Sequence, residues 1–205
     1  MSPSSINFRT VVKFFWRNDN AAQLVEFAVT LPLLVVFVVG IFDFSGAYTL
    51  KQKLTNVAAT AARTAAADPA SDLLAPSFPL PTSVINAFSV VDQYFAANNM
   101  NDCGITSTAT PSALTWTFTA NSNGCPPGGL TIVINRGYYF PSVAATTPAG
   151  NCTPAALTGQ TAVIGTCVNI SYAYQWKFGR AASLLGSSFA LPTTITATAV
   201  AMNEH

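Results

Sequence analysis

Two sets of residues in this chain have types and spacing that could do chemistry. Two carboxylates, Glu26 and Asp43, bracket Phe27 to Phe42, sixteen residues without a charge. A carboxylate beside such a run must be paired, neutralised or kept near water, because burying an unpaired charge is costly. Four cysteines, Cys103, Cys125, Cys152 and Cys167, all follow that run. An even count on one side of an apolar segment reads as two disulfides made in an oxidising compartment, with three pairings open. Local pairing, Cys103–Cys125 and Cys152–Cys167, is favoured because each pair brackets a loop-like stretch; buried free thiols are the alternative. Metal chemistry fits poorly, since no pair has C-x-x-C spacing and the one histidine is the terminal His205.

The search for a catalytic constellation returns nothing. A Ser/His/Asp arrangement would have to recruit His205, no glycine-rich phosphate loop is present, and no pair of carboxylates is set apart by its surroundings. The expectation is a protein that is not an enzyme and carries no cofactor. Of 205 residues only 9 are Lys or Arg and 8 Asp or Glu, while half are apolar. A net charge of +1 gives no electrostatic reason for a nucleic-acid partner. So few charges, with abundant Thr, Ser, Ala and Asn, suit a chain that leaves the cytoplasm.

The element that must position the carboxylates is a long helix. Leu24 to Leu50 is 27 residues, against the roughly 20 apolar residues that cross a bilayer. Glu26 and Asp43 then fall near opposite interfaces, where a carboxylate costs far less than at the centre. A buried core helix and a cleaved secretory signal ending at Ser45-Gly46-Ala47 are the competing readings. Arg9, Lys13 and Arg17 precede the segment and Lys51 and Lys53 follow it, so the positive-inside rule is nearly balanced. The cysteines break the tie by placing the C-terminal part outside. Pro32 removes one helical bond and is expected to be tolerated in a membrane helix.

Beyond Lys53 the sequence is rich in alanine until Asp68-Pro69, so the helix is expected to continue to about residue 67. This stem of small residues is either a linker lying on its own domain or a subunit-packing surface. After a proline-rich break, Val84, Phe88, Val91 and Phe95 share one face of a second helix. The period then changes to two in residues 113–119, 130–134, 163–178 and 193–202, which predicts an antiparallel sheet of about four strands. Tyr138, Tyr139, Tyr172, Tyr174 and Trp176 are read as cross-strand packing, with a sticky outer face as the alternative. The predicted fold class is α+β. Residues 1–23 form a short cytoplasmic leader, 24–50 a transmembrane helix, 51–68 a helical stem, and 69–205 an extracytoplasmic domain with a second helix and the sheet.

The residues A22-Q23-L24-V25-E26-F27-A28, L31-P32-L33-L34 and G40-I41-F42-D43-F44, at these intervals, resemble the TadE/TadG-like family of tight-adherence (Flp-type) pilus assembly proteins. Ala61-Ala62-Arg63 and the closing I195-T196-A197-T198-A199-V200-A201-M202-N203-E204 also fit. The resemblance implies a small membrane-anchored minor pilin or pseudopilin of bacteria, seated in the inner membrane with its N-terminus inside. It implies cleavage by a prepilin peptidase between Ala21 and Ala22, although the family usually has glycine at the position of Ala21. A freed α-amine could then pair with Glu26 of a neighbouring subunit, with Pro32 and Asp43 part of the packing helix. The implied partners are other pilus subunits, assembly-platform proteins and the lipid bilayer. The alternative function is an exported surface-binding or adhesive domain on a simple anchor or signal peptide.

Overall fold

The computed structural model describes residues 19–74, 80–141, 152, 162–177 and 192–204. Arg9, Lys13, Arg17, most of the 141–161 connection and His205 lie outside the described residues. The chain divides into two compact units, one of residues 1–45 with 177–189 and one of residues 46–176 with 190–205. Helix α1 (Asp19–Ala67) supplies residues to both.

In the first unit the helix starts five residues before Leu24 and runs unbroken through Pro32. The hydroxyl of Thr30 donates to the Glu26 carbonyl at 2.8 Å and approaches that of Phe27 at 3.3 Å. These side-chain bonds sit in the turn before the proline, whose ring nitrogen can donate nothing to Ala28, a combination that favours a local bend over a stiffer turn. Leu24, Val25, Phe27, Val29, Leu33, Leu34, Phe37, Ile41, Phe42 and Phe44 are all exposed. This helix is long and apolar enough to cross a membrane.

The second unit is an antiparallel sheet with helix on one face. Its elements are the remainder of α1, a short 3-10 turn (Ala70–Leu74), α2 (Thr82–Ala97) and five strands. The strands are β1 (Thr110–Ser112), β2 (Thr115–Ala120), β3 (Leu130–Pro141), β4 (Ala162–Ala173) and β5 (Thr194–Met202), hydrogen-bonded in sequence order. Four of them fall where the two-residue period placed them. The addition is β1, three exposed residues paired with Thr115–Thr117. Cys167 stands within β4, inside the alternating stretch 163–178.

Alternation decides which side of each strand is buried. Trp116, Phe118, Ile132, Ile134, Val168, Ile170, Ile195 and Ala197 point to one face, against Val84, Phe88, Val91 and Phe95 of α2. Phe88 stacks on Phe118 with ring centroids 4.6 Å apart, and Phe95 meets Tyr172 at 5.9 Å. Each fully buried side chain of this size contributes about 1.5–3 kcal/mol relative to exposure. The stem joins the same core through Leu54, Val57, Ala58, Ala61, Ala62 and Ala65. Its small residues therefore let helix and sheet approach closely within one chain, which is the linker reading of this face. Gly46 serves the same end, since a Cβ there would stand 3.0 Å from the Tyr174 hydroxyl.

A β-bulge interrupts β3. Asn135 faces Cys167 but Tyr138 faces Gly165, so β3 carries one residue more than β4 over this interval. The Asn135 side chain shapes it, accepting from the Gly137 N–H at 2.8 Å and donating to the Cys152 carbonyl at 2.8 Å. Tyr138 is thereby turned onto the opposite face, where it forms a second small cluster with Cys152 and Cys167.

At the far side of the sheet, β5 has one neighbouring strand only. Tyr174 N–H donates to Thr193 O and Asn203 N–H to Ile164 O, so the odd-numbered backbone groups of this strand face β4. The even-numbered groups face outward, and α1 meets two of them. The Lys51 ammonium donates to Thr196 O, and Glu204 N–H donates to Ala66 O at 3.3 Å. The stem runs beside β5 in the same direction and shields its edge.

Candidate functional site

The residues singled out in the sequence stand in two places. Ala21, Ala22, Glu26, Pro32 and Asp43 lie along the first part of α1. The four cysteines lie in the sheet unit. Glu26 is exposed, whereas Asp43 is only 6% exposed. Seventeen residues separate them, about 25 Å along a helix at 1.5 Å per residue. They cannot act on one substrate, so a two-carboxylate reaction centre is ruled out by geometry. What the segment presents is an apolar helical surface with an acid close to its start.

The structure brings the cysteines together as Cys103 with Cys125 and Cys152 with Cys167, at Cα separations of 5.2 and 5.5 Å. The first bridge ties the segment after α2 to the β2–β3 connection, and the Ser122 hydroxyl bonds the Cys103 carbonyl at 2.7 Å. The second ties residue 152 to β4 beneath Tyr138. Among the described residues no three His, Cys, Asp or Glu side chains gather as metal ligands would.

One charged residue escaped the sequence reading. Arg136 follows the alternation of T131-I132-V133-I134 onto the core face and is fully buried. Its Nη1 donates to Ala65 O, to the Thr166 hydroxyl at 2.9 Å and to Asn203 Oδ1 at 3.3 Å, while Nη2 donates to Asp68 O at 2.9 Å. The guanidinium thus caps the C-terminal end of α1, where unpaired carbonyls concentrate negative potential. Burial pushes the Arg136 pKa down, and the Asp72 and Asp68 carboxylates oppose that shift. Asp72 in turn accepts the Ser83 N–H at 2.8 Å and caps the start of α2. The signal for this cluster was the tripeptide Asn135-Arg136-Gly137 closing an apolar alternation, a charge at a core position followed by a bulge-forming glycine.

The β-rich unit therefore holds one end of α1 firmly, by a buried cation, a sheet edge and a packed alanine face. The apolar part of the same helix offers its side chains outward. No curated protein and no solved structure matches the chain. Residues 21–63, from Ala21 through Glu26, Pro32 and Asp43 to Arg63, match the family model described as TadE-like protein, so over this helix the resemblance to the TadE/TadG-like family is shown.

Proposed function

We propose that this chain is a non-enzymatic, membrane-anchored minor pilin or pseudopilin of tight-adherence pilus assembly that packs against its partners through the first part of α1. The observation that carries the proposal is the pairing of an outward-facing apolar helix with a TadE-like match over the same residues. Such a helix is stable only in lipid or against other apolar helices. In this reading residues 1–23 are the cytoplasmic leader, 24–50 span the inner membrane, 51–68 form the stem, and the domain to residue 205 stands outside. Two disulfides suit that side of the membrane.

Glu26 is the residue on which subunit packing turns. A prepilin peptidase cutting between Ala21 and Ala22 would free an α-amine that pairs with Glu26 of a neighbouring subunit at the membrane edge. Each group would satisfy a charge that is costly alone in an apolar setting. Other pilus subunits and the assembly platform are the partners.

The test is mass spectrometry of the mature N-terminus from native membranes, coupled to Glu26→Ala. A terminus at Ala22, with the variant still inserted but co-purifying less with other pilus subunits, is the expected result. Equal co-purification would remove Glu26 from the packing interface. A terminus at Tyr48 would instead mark a secreted adhesive domain released after Ala47.

A further inference from the structure

The stem has a second face that its buried alanines do not use. Tyr48, Gln52 and Asn56 recur at four-residue intervals, with Lys51 and Thr55 between them, so all five lie along one side of α1. Together they line an open cavity of about 490 Å³. Four of the five present side-chain donors: the Tyr48 phenol, the Lys51 ammonium and the Gln52 and Asn56 amides. Thr55 already gives its hydroxyl proton to the Lys51 carbonyl at 2.8 Å, which leaves its oxygen as an accepting wall. Among the described residues, no acidic side chain lines the cavity.

We propose that this cavity binds the phosphodiester headgroup of an anionic phospholipid, in the leaflet from which the stem emerges. The proposal rests on the membrane-anchored reading of α1. Three features argue for it. The lining is rich in donors and carries a positive charge, as a phosphate requires. Lys51 is held by its bond to Thr196 O, so its ammonium is positioned in advance and still has two further N–H groups to offer. The cavity also begins at Tyr48, the last exposed large apolar side chain along α1. With residues 24–50 as the span, Tyr48 stands at its outer edge, Lys51 and Gln52 are the first residues past it, and Asn56 follows about 9 Å along the helix, which spans the headgroup level. Tyrosine and lysine at this level are the usual interfacial anchors of a span. Here the open cavity sets further donors beside those anchors.

The experiment uses the full chain embedded in lipid nanodiscs of phosphatidylcholine with and without phosphatidylglycerol, followed by native mass spectrometry of retained lipid. The expected result is retention of phosphatidylglycerol in preference to phosphatidylcholine, reduced about tenfold by Gln52→Ala/Asn56→Ala, a double change that leaves the Lys51 contact in place. Lys51→Met should abolish the preference for the anionic lipid. Indifferent retention in an embedded chain, or retention unchanged in the double variant, overturns the proposal alone. Release of the lipid by millimolar inorganic phosphate overturns it in favour of a free-phosphate site. A chain that alkaline carbonate strips from membranes and that never enters the disc overturns the membrane reading, and this proposal with it.

Discussion

Arg136 shows how one side chain can decide where a helix stops. Its fork reaches the carbonyls of Ala65 and Asp68 with different nitrogens, while Thr166 and Asn203 hold it from the sheet side. A buried guanidinium is costly to desolvate, so its benefit comes from carbonyls that would otherwise be left unpaired. Arg136→Met should destabilise the chain by about 3 kcal/mol, because it orphans several buried acceptors at once. Arg136→Lys should not restore the loss, since an ammonium lacks the planar fork. Urea unfolding in detergent micelles, followed by tryptophan fluorescence, reads both variants; a cost below half a kilocalorie for the methionine variant would deny Arg136 its capping role. Asn135-Arg136-Gly137 marked a charge at a core position in the sequence, but nothing there named its partners. The partners lie up to 71 residues away in sequence and meet only in the folded unit.

At the scale of elements, local signals were sufficient wherever one period ran long. The stem was legible because alanine favours helix and nothing stops it before Asp68-Pro69. The second helix was legible from Val84, Phe88, Val91 and Phe95, all of which are buried. Strand β1 was not, because Thr110-Pro111-Ser112 is short, exposed and carries no alternation. The length of β3 was underestimated for a related reason: the bulge changes which face Tyr138 serves, and a period read past it loses register. The alanines of α1 set the distance between helix and sheet. Ala61→Leu inserts a larger side chain at a position with no exposure and should cost about 1–3 kcal/mol. Thr60→Ala, one position away on the exposed side, should change stability by less than about 0.5 kcal/mol. Thermal melts of the two variants side by side test the assignment, and equal shifts would mean that the alanine face is not tightly packed.

For the whole molecule, the long apolar helix was the most readable feature and the packing around Arg136 the least. An uncharged run from Phe27 to Phe42 is a property of composition, visible without any contact being known. The stem and the closing segment of the chain have a physical reason to occur together. Ala65 and Ala66, just past Ala61-Ala62-Arg63, meet Asn203 and Glu204 of the closing segment around one buried cation. The anchor itself has a direct test. Leu34→Arg places a charge near the middle of the run, where insertion should become unfavourable by about 2.5–3.5 kcal/mol. Resistance to alkaline carbonate extraction should fall in this variant, and full resistance would argue against Leu34 lying at the centre of a span.

The alignment of the stem with β5 has a mechanical consequence. Its attachments to the sheet unit are distributed along the helix, from Lys51 on Thr196 to Ala66 on Glu204 and Ala65 on Arg136. A pull along the axis of the stem would therefore load those contacts in shear, all together, rather than peel them one by one. A domain tethered in this way is suited to bearing tension, and under a single-molecule pull the stem should leave the sheet in one abrupt step.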